Sequence, residues 1–141
     1  KEAEGRLAEI IVLDQFSRNM FRDSPLAFAN DSLALALSQE AISVGAEREL
    51  SPIQRSFLTL PFMHSESLKI HEIALILYKK NGIKANLVFE IKHYDIIKKF
   101  GRYPHRNEIL GRVSTDEEIE FIKQTDSAFW ENIQLMQAKI K

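Results

Sequence analysis

Residues 67–101 read SLKIHEIALILYKKNGIKANLVFEIKHYDIIKKFG, and this stretch decides the fold. Ser65 or Ser67 can cap a helix that covers SLKIHEIALILYKKN and stops at Gly82. Asn86 then begins LVFEIKHYDIIKKF, with Phe89, His93, Ile96, Ile97 and Phe100 along one side. Gly101 closes that second helix as a left-handed cap. Two helices joined by so few residues lie side by side, so the stretch predicts a helical hairpin.

The same signals continue in both directions. Upstream, Gly5 to about Phe21 carries Leu7, Ile10, Ile11, Leu13, Met20 and Phe21 at helical spacing. Ser24-Pro25 is a cap followed by a proline at the first helical position, and it predicts one helix running to Gly45. Ser51-Pro52 repeats the device for a shorter helix that Pro61 ends or kinks. Downstream, Pro104 starts a short helix to about Leu110, and Ser114 with Glu117 fits a capping box. Asp126 or Ser127 caps a last helix, 126–141, with Phe129, Ile133, Met136 and Ile140 on one side. Strand signals are nearly absent. The expectation is an all-α single domain, 1–141, with seven to eight helices in antiparallel hairpins and no motif repeated at a fixed period. The opening KEAEGRLAEIIVLDQF reads as already inside a helix, so a further segment is expected upstream.

Composition narrows the function classes. The chain has 141 residues, the size of one ordinary domain that buries roughly two-thirds of its unfolded surface. Nineteen basic against 20 acidic residues give a net charge of −1, which argues against nucleic acid and anionic membrane as partners. The chain has no cysteine, which excludes disulfides and thiolate chemistry and suits a cytoplasmic location. No apolar run approaches the roughly 18–20 residues of a membrane span.

Polar residues on apolar stripes are the candidates for a site. Leu7 and Ile11 lead along one face to Asp14, Arg18 and Phe21, so two charges four residues apart continue an apolar stripe. They read either as a structural ion pair or as a site in which Arg18 binds a ligand. His93 sits on the apolar side of its helix, as a satisfied core residue or as a general base. LPFMHSES, 60–67, places His64, Ser65 and Glu66 at a break between helices, where they can cap, pair or catalyse. HExxH is absent, and Glu-x-x-His occurs once, at Glu90 and His93, where a di-iron bundle needs it twice, so no metal and no cofactor is expected. A Ser-His-Asp set could be assembled from Ser65, His64 or His105, and Asp14, as in any chain this long.

The densest candidate is FGRYPHRNEILGR, 100–112, with three arginines, a histidine and an asparagine around two glycines and a proline. The helix start at Pro104 offers free amides, flanked by Arg102, His105, Arg106 and Asn107. Arginine forks match carboxylate and phosphate, so the corner reads as an anion cradle. The competing reading has these arginines fastening helix ends and core acids.

Four segments, LDQFSRNMFRDSPLAFANDSLAL, LPFMHSES, FEIKHYDIIKKFGRYPHRNEILGR and STDEEIEFI, resemble the bacterial family called domain of unknown function 924, over Gly5 to Lys123. The resemblance implies a tetratricopeptide-like, right-handed array of helical hairpins in a cytosolic bacterial protein with no established activity. Family members begin with a further aromatic-rich helical segment that this chain lacks. They often carry proline at the position of Ser17 and phenylalanine at that of Tyr103. The family brings no catalytic residues with it. Its motifs match at Asp14, Gln15, Arg18, Asn19, Arg22, His64, Ser65, Glu66, His93, Arg102, His105, Arg106 and Asn107.

The leading functional expectation is a domain that binds an anionic small molecule or peptide through Arg18, Arg102, His105, Arg106 and Asn107. The first alternative is a hydrolase or transferase on an anionic small molecule, with His64, Glu66 or His93 as catalytic candidates. The second is an interaction module, with homo-oligomers formed through the helix at 126–141.

Overall fold

A computed structural model describes residues 2–124, and the helix expected over 126–141 lies outside them. The described residues form helices joined by turns and short irregular links, with no strand among them. Seven α-helices are bounded here: α1 (Glu2–Ile11), α2 (Ser17–Met20), α3 (Asp31–Ser43), α4 (Pro52–His64), α5 (Leu68–Asn81), α6 (Lys84–Phe100) and α7 (Asn107–Leu110). A further helical stretch occupies 116–124. No helix among them is long and apolar enough to cross a membrane.

α1 and α2 form one rod, because the residues between them, Val12–Phe16, make a turn of π-helix with helical backbone on both sides. A π turn inserts one residue into the α register and rotates every later side chain about the helix axis. The buried face runs from Ala3, Leu7 and Ile10 to Asp14, Gln15 and Ser17. The apolar stripe of α1 thus ends in a buried carboxylate.

The helix expected from Pro25 to Gly45 is two elements. Ser24 accepts the Leu26 N–H at 3.3 Å and opens a single 3-10 turn, Pro25–Phe28. The chain then breaks at Asn30 and restarts as α3. Tertiary bonds offset the break: Asn30 Nδ2 donates to Ser17 Oγ at 3.0 Å, and Asp31 receives both arms of Arg18 at 2.8 and 3.0 Å. A helix continuing through Asn30 would give up this approach to the first rod.

α4 starts with a complete capping box between Ser51 and Gln54. Pro61 lies inside α4, and the helix continues past it to His64. An interior proline costs about 3 kcal/mol. The next two residues, Phe62 and Met63, are 2 % and 1 % exposed. Burying two such side chains contributes roughly 1.5–3 kcal/mol each, which outweighs the loss.

α5 and α6 pack along each other and against α4. Gly82 (φ 81°) and Gly101 (φ 73°) close them in the left-handed region, and α6 begins at Lys84, two residues before the expected start. The capping box after α7 is Thr115 with Glu118, one residue beyond the expected Ser114 and Glu117: Thr115 Oγ1 accepts the Glu118 N–H at 3.1 Å and Glu118 Oε1 accepts the Thr115 N–H at 3.0 Å. The shift has its cause in other partners, since Ser114 Oγ accepts from Asn107 and Glu118 is clasped by Arg102. α4 joins the core regions: Leu58 packs with Leu7, Ile10 and Leu50, whereas Leu60, Phe62 and Met63 pack with Ala74 and Tyr78. Its C-terminal end therefore stands at the middle of the domain.

Candidate functional site

The end of α4 delivers His64, and the turn after it delivers Ser65 and Glu66. Three other elements converge there. The π turn brings Asp14, the start of α3 brings Asp31, and the 3-10 turn Pro104–Arg106 brings Arg106. Between them lies a groove of about 400 Å³, with Pro25, Phe28, Leu35, Pro61 and Leu110 as apolar walls and Asp31, His64, Glu66 and Arg106 as polar groups.

Asp14 is 1 % exposed and accepts from both neighbours at Oδ1: Arg18 at 3.0 Å and His64 Nδ1 at 2.8 Å. Burial alone would raise its pKa, but His64, Arg18 and a hydrogen bond from Gln15 outweigh that and hold it at about 2. His64 moves the other way: burial, then the Arg18 charge, lower its pKa against the pull of Asp14. Near neutral pH the imidazole is therefore uncharged, with its proton on Nδ1 facing the carboxylate.

Arg18 lies over Phe28 at 5.5 Å and donates from both terminal nitrogens, to Asp14 and Asp31. Arg106 lies over the same ring at 4.5 Å and over Tyr103 at 4.7 Å. One of its arms donates to the His64 carbonyl at 2.8 Å. The other comes no closer than 3.7 Å to Asp31 and 3.9 Å to Glu66. Glu66 has its own cation, since Arg112 bonds both carboxylate oxygens at 2.9 and 3.1 Å and Tyr103 N–H adds a third bond. Burial works against ionisation of Glu66, but Arg112 and the Tyr103 amide lower its pKa. Asp14, Asp31 and Glu66 thus face Arg18, Arg106 and Arg112. Charges balance three against three, and Arg106 is the cation whose carboxylates stand beyond hydrogen-bond distance.

The other candidates occupy different places. Arg102 clasps Glu118 with two bonds, at 3.0 and 2.8 Å, and reaches the Val113 carbonyl. Asn107 is buried, donates to Ser114 and Glu118, and accepts from Arg112. His105 lies edge-on to Phe121 at 5.7 Å. None of these three lines the groove, and Arg18 reaches it through Asp31 and Phe28. His93 donates from Nδ1 to the Phe89 carbonyl at 2.7 Å and stands edge-on to Tyr103. Burial lowers its pKa to about 3, so it stays neutral in the core. No group of three or more His, Asp or Glu that could hold a metal occurs among the described residues.

Sequence reasoning passed over Asp31, Arg112 and a second buried pair. Asp31 was hidden inside what read as one long helix. His71 Nδ1 lies 2.7 Å from Glu90 Oε2, and His71 Nε2 donates to the Ser65 carbonyl at 2.6 Å. Burial raises the Glu90 pKa against the pull of His71. Tyr103 OH donates to the Met63 carbonyl beside His71, so the pair braces the turn that carries His64. Asn86, Glu90 and His93, at helical spacing along the buried side of α6, were the available signal.

The comparisons with known proteins agree with this architecture. A family model described as "Bacterial protein of unknown function (DUF924)" matches residues 1–126. The chain belongs to this family. It is similar to the solved structure of a protein of unknown function, ATU0120 from Agrobacterium tumefaciens, at 39 % identity and a TM-score of 0.83, over 86 % of this chain and 69 % of that one. No curated protein matches the chain.

Proposed function

We propose that the domain binds a small molecule in the groove between α3, the end of α4 and the turn at Pro104, holding an anionic group of that molecule on Arg106. The observation that carries the proposal is the geometry of Arg106. It lines the groove, rests on two aromatic rings and leaves one arm outside hydrogen-bond range of any carboxylate. A carboxylate or phosphate in the groove would accept from this arm in a partly desolvated setting, where charge-assisted bonds are strongest. Phe28, Leu35 and Pro61 supply apolar walls for the rest of the ligand. Of the five residues expected to hold an anion, Arg106 is the direct contact and Arg18 orients Asp31 beside it.

The proposal is tested with succinate and inorganic phosphate as probes in a thermal-shift titration of the wild type, Arg106→Lys and Arg106→Met. A concentration-dependent rise in Tm for the wild type, reduced in the lysine variant and absent from the methionine variant, is expected. Equal shifts in all three proteins would contradict it.

A further inference from the structure

We infer that Asp14 and His64 form a general base serving this groove, and that the domain hydrolyses an ester of a small molecule carrying a carboxylate or phosphate. The inference rests on the groove being the ligand site proposed above. Its own support is the alignment of three groups. Asp14 Oδ1 sits 2.8 Å from His64 Nδ1, and Arg18 and Gln15 fix the carboxylate from its other sides. Asp14 lies in the π turn and is itself buried. The bond to Asp14 puts the ring proton on Nδ1 and the lone pair on Nε2. Among the described residues no polar group bonds Nε2, and the ring belongs to the wall of the groove beside Arg106. A carboxylate, an imidazole held in one tautomer and an open second nitrogen are the parts by which histidine takes a proton from an oxygen nucleophile.

The nearest hydroxyl along the chain, Ser65, accepts the Ser67 N–H at 3.1 Å, so water is assigned as the nucleophile. His64 Nε2 takes one proton from water while the water oxygen adds to the ester carbonyl carbon. The carbonyl electron pair moves to its oxygen, giving the tetrahedral oxyanion. Collapse re-forms the C=O bond and breaks the bond to the alcohol oxygen, which takes the proton back from Nε2. One ester and one water give one acid and one alcohol, and the imidazole returns to its starting state.

The test uses two chromogenic probes on the whole chain: 4-nitrophenyl hemisuccinate, which is anionic, and 4-nitrophenyl acetate, which is neutral. The wild type should turn over many equivalents and prefer the anionic ester. His64→Gln should lose activity by on the order of 100-fold, with an unchanged circular dichroism spectrum. Asp14→Asn should also lose activity, and Arg106→Met should lose the preference for the anionic ester. Asp14, Arg18, Asp31 and Arg106 surround His64, so the wild-type rate should rise with pH along one titration lying below that of a free histidine. That profile remains a test if His64→Gln fails to fold. No turnover above buffer, a rate that does not fall anywhere on the acid side of a free histidine's titration, or an undiminished rate in a folded His64→Gln would overturn the inference. Succinate stabilisation that depends on Arg106, with no turnover, would remove the base and leave the binding reading standing. Turnover that depends on His64 but shows no preference for the anionic ester would do the reverse.

Discussion

Arg18 and Arg106 share one carboxylate, Asp31, at 2.8 and 3.7 Å, and lie over one ring, Phe28. Two cations this close coexist because each meets further oxygen atoms: Arg18 those of Asp14, Arg106 the His64 carbonyl. The arrangement ties the first rod, α3, α4 and the Pro104 turn into one unit. The groove lies between the last three of these and the 3-10 turn Pro25–Phe28, and the first rod supports it from behind through Arg18 and Asp14.

Removing Arg18 should therefore be strongly destabilising. Arg18→Met leaves Asp14 nearly sealed from water with only His64 and Gln15 as partners. Breaking a buried pair from one side costs roughly 3–5 kcal/mol. Urea denaturation should show a loss of that order, and a loss below about 1 kcal/mol, the size of a surface pair, would mean the pair is solvated.

His93 makes stability fall in mild acid. Its folded pKa is about 3 against a reference of 6.5. With the folded value depressed, the unfolded chain takes up a proton first as pH falls. The contribution is present above about 6.5 and lost towards 3, at up to about 1.4 kcal/mol per pH unit. Tm should start to drop below about pH 6.5, above the range in which carboxylates titrate. In His93→Phe that early drop should shrink, and an identical profile would contradict the assignment.

How much of this could be read beforehand depends on the kind of contact. Asp14 and Arg18 stood out because charges interrupted an apolar stripe, and Gly82, Gly101 and the Ser51-Pro52 cap marked helix ends by local chemistry alone. The π turn left no such mark, because its backbone stays helical and only the register changes. Asn30 and Asp31 look like mid-helix residues until Ser17 and Arg18 are brought beside them. Arg102 and Arg112 were indistinguishable in sequence. Their partners, Glu118 and Glu66, lie 16 and 46 residues away, and only the fold decides which arginine reaches which acid.

Tyr103→Phe should be tolerated. The change removes the hydroxyl bonds to the Met63 carbonyl and His71, at a cost of about 1–3 kcal/mol. His71 keeps the Ser65 carbonyl, and Arg106 keeps a ring to rest on. A folded variant that retains the succinate-dependent rise in Tm is expected, measured by the same thermal-shift titration. Loss of that response would give the hydroxyl a direct part in the site.

Arg102→Met should separate the fastening arginine from the binding one. Arg102 holds Glu118 and the Val113 carbonyl outside the groove. Its loss should lower Tm, since Glu118 is 2 % exposed and keeps only Asn107 and the Thr115 amide. Affinity for succinate, measured by calorimetry, should not change. A parallel loss of affinity would place Arg102 in the site.

The most direct measurement is a ¹H–¹⁵N NMR titration of the isotopically labelled chain with succinate, repeated on Arg106→Met. The account predicts saturable shifts concentrated at Asp31, His64, Glu66 and the Pro104–Leu110 turn, and their disappearance in the variant. Shifts spread over the lysine-bearing faces of α5 and α6, unaltered when Arg106 is replaced, would contradict it.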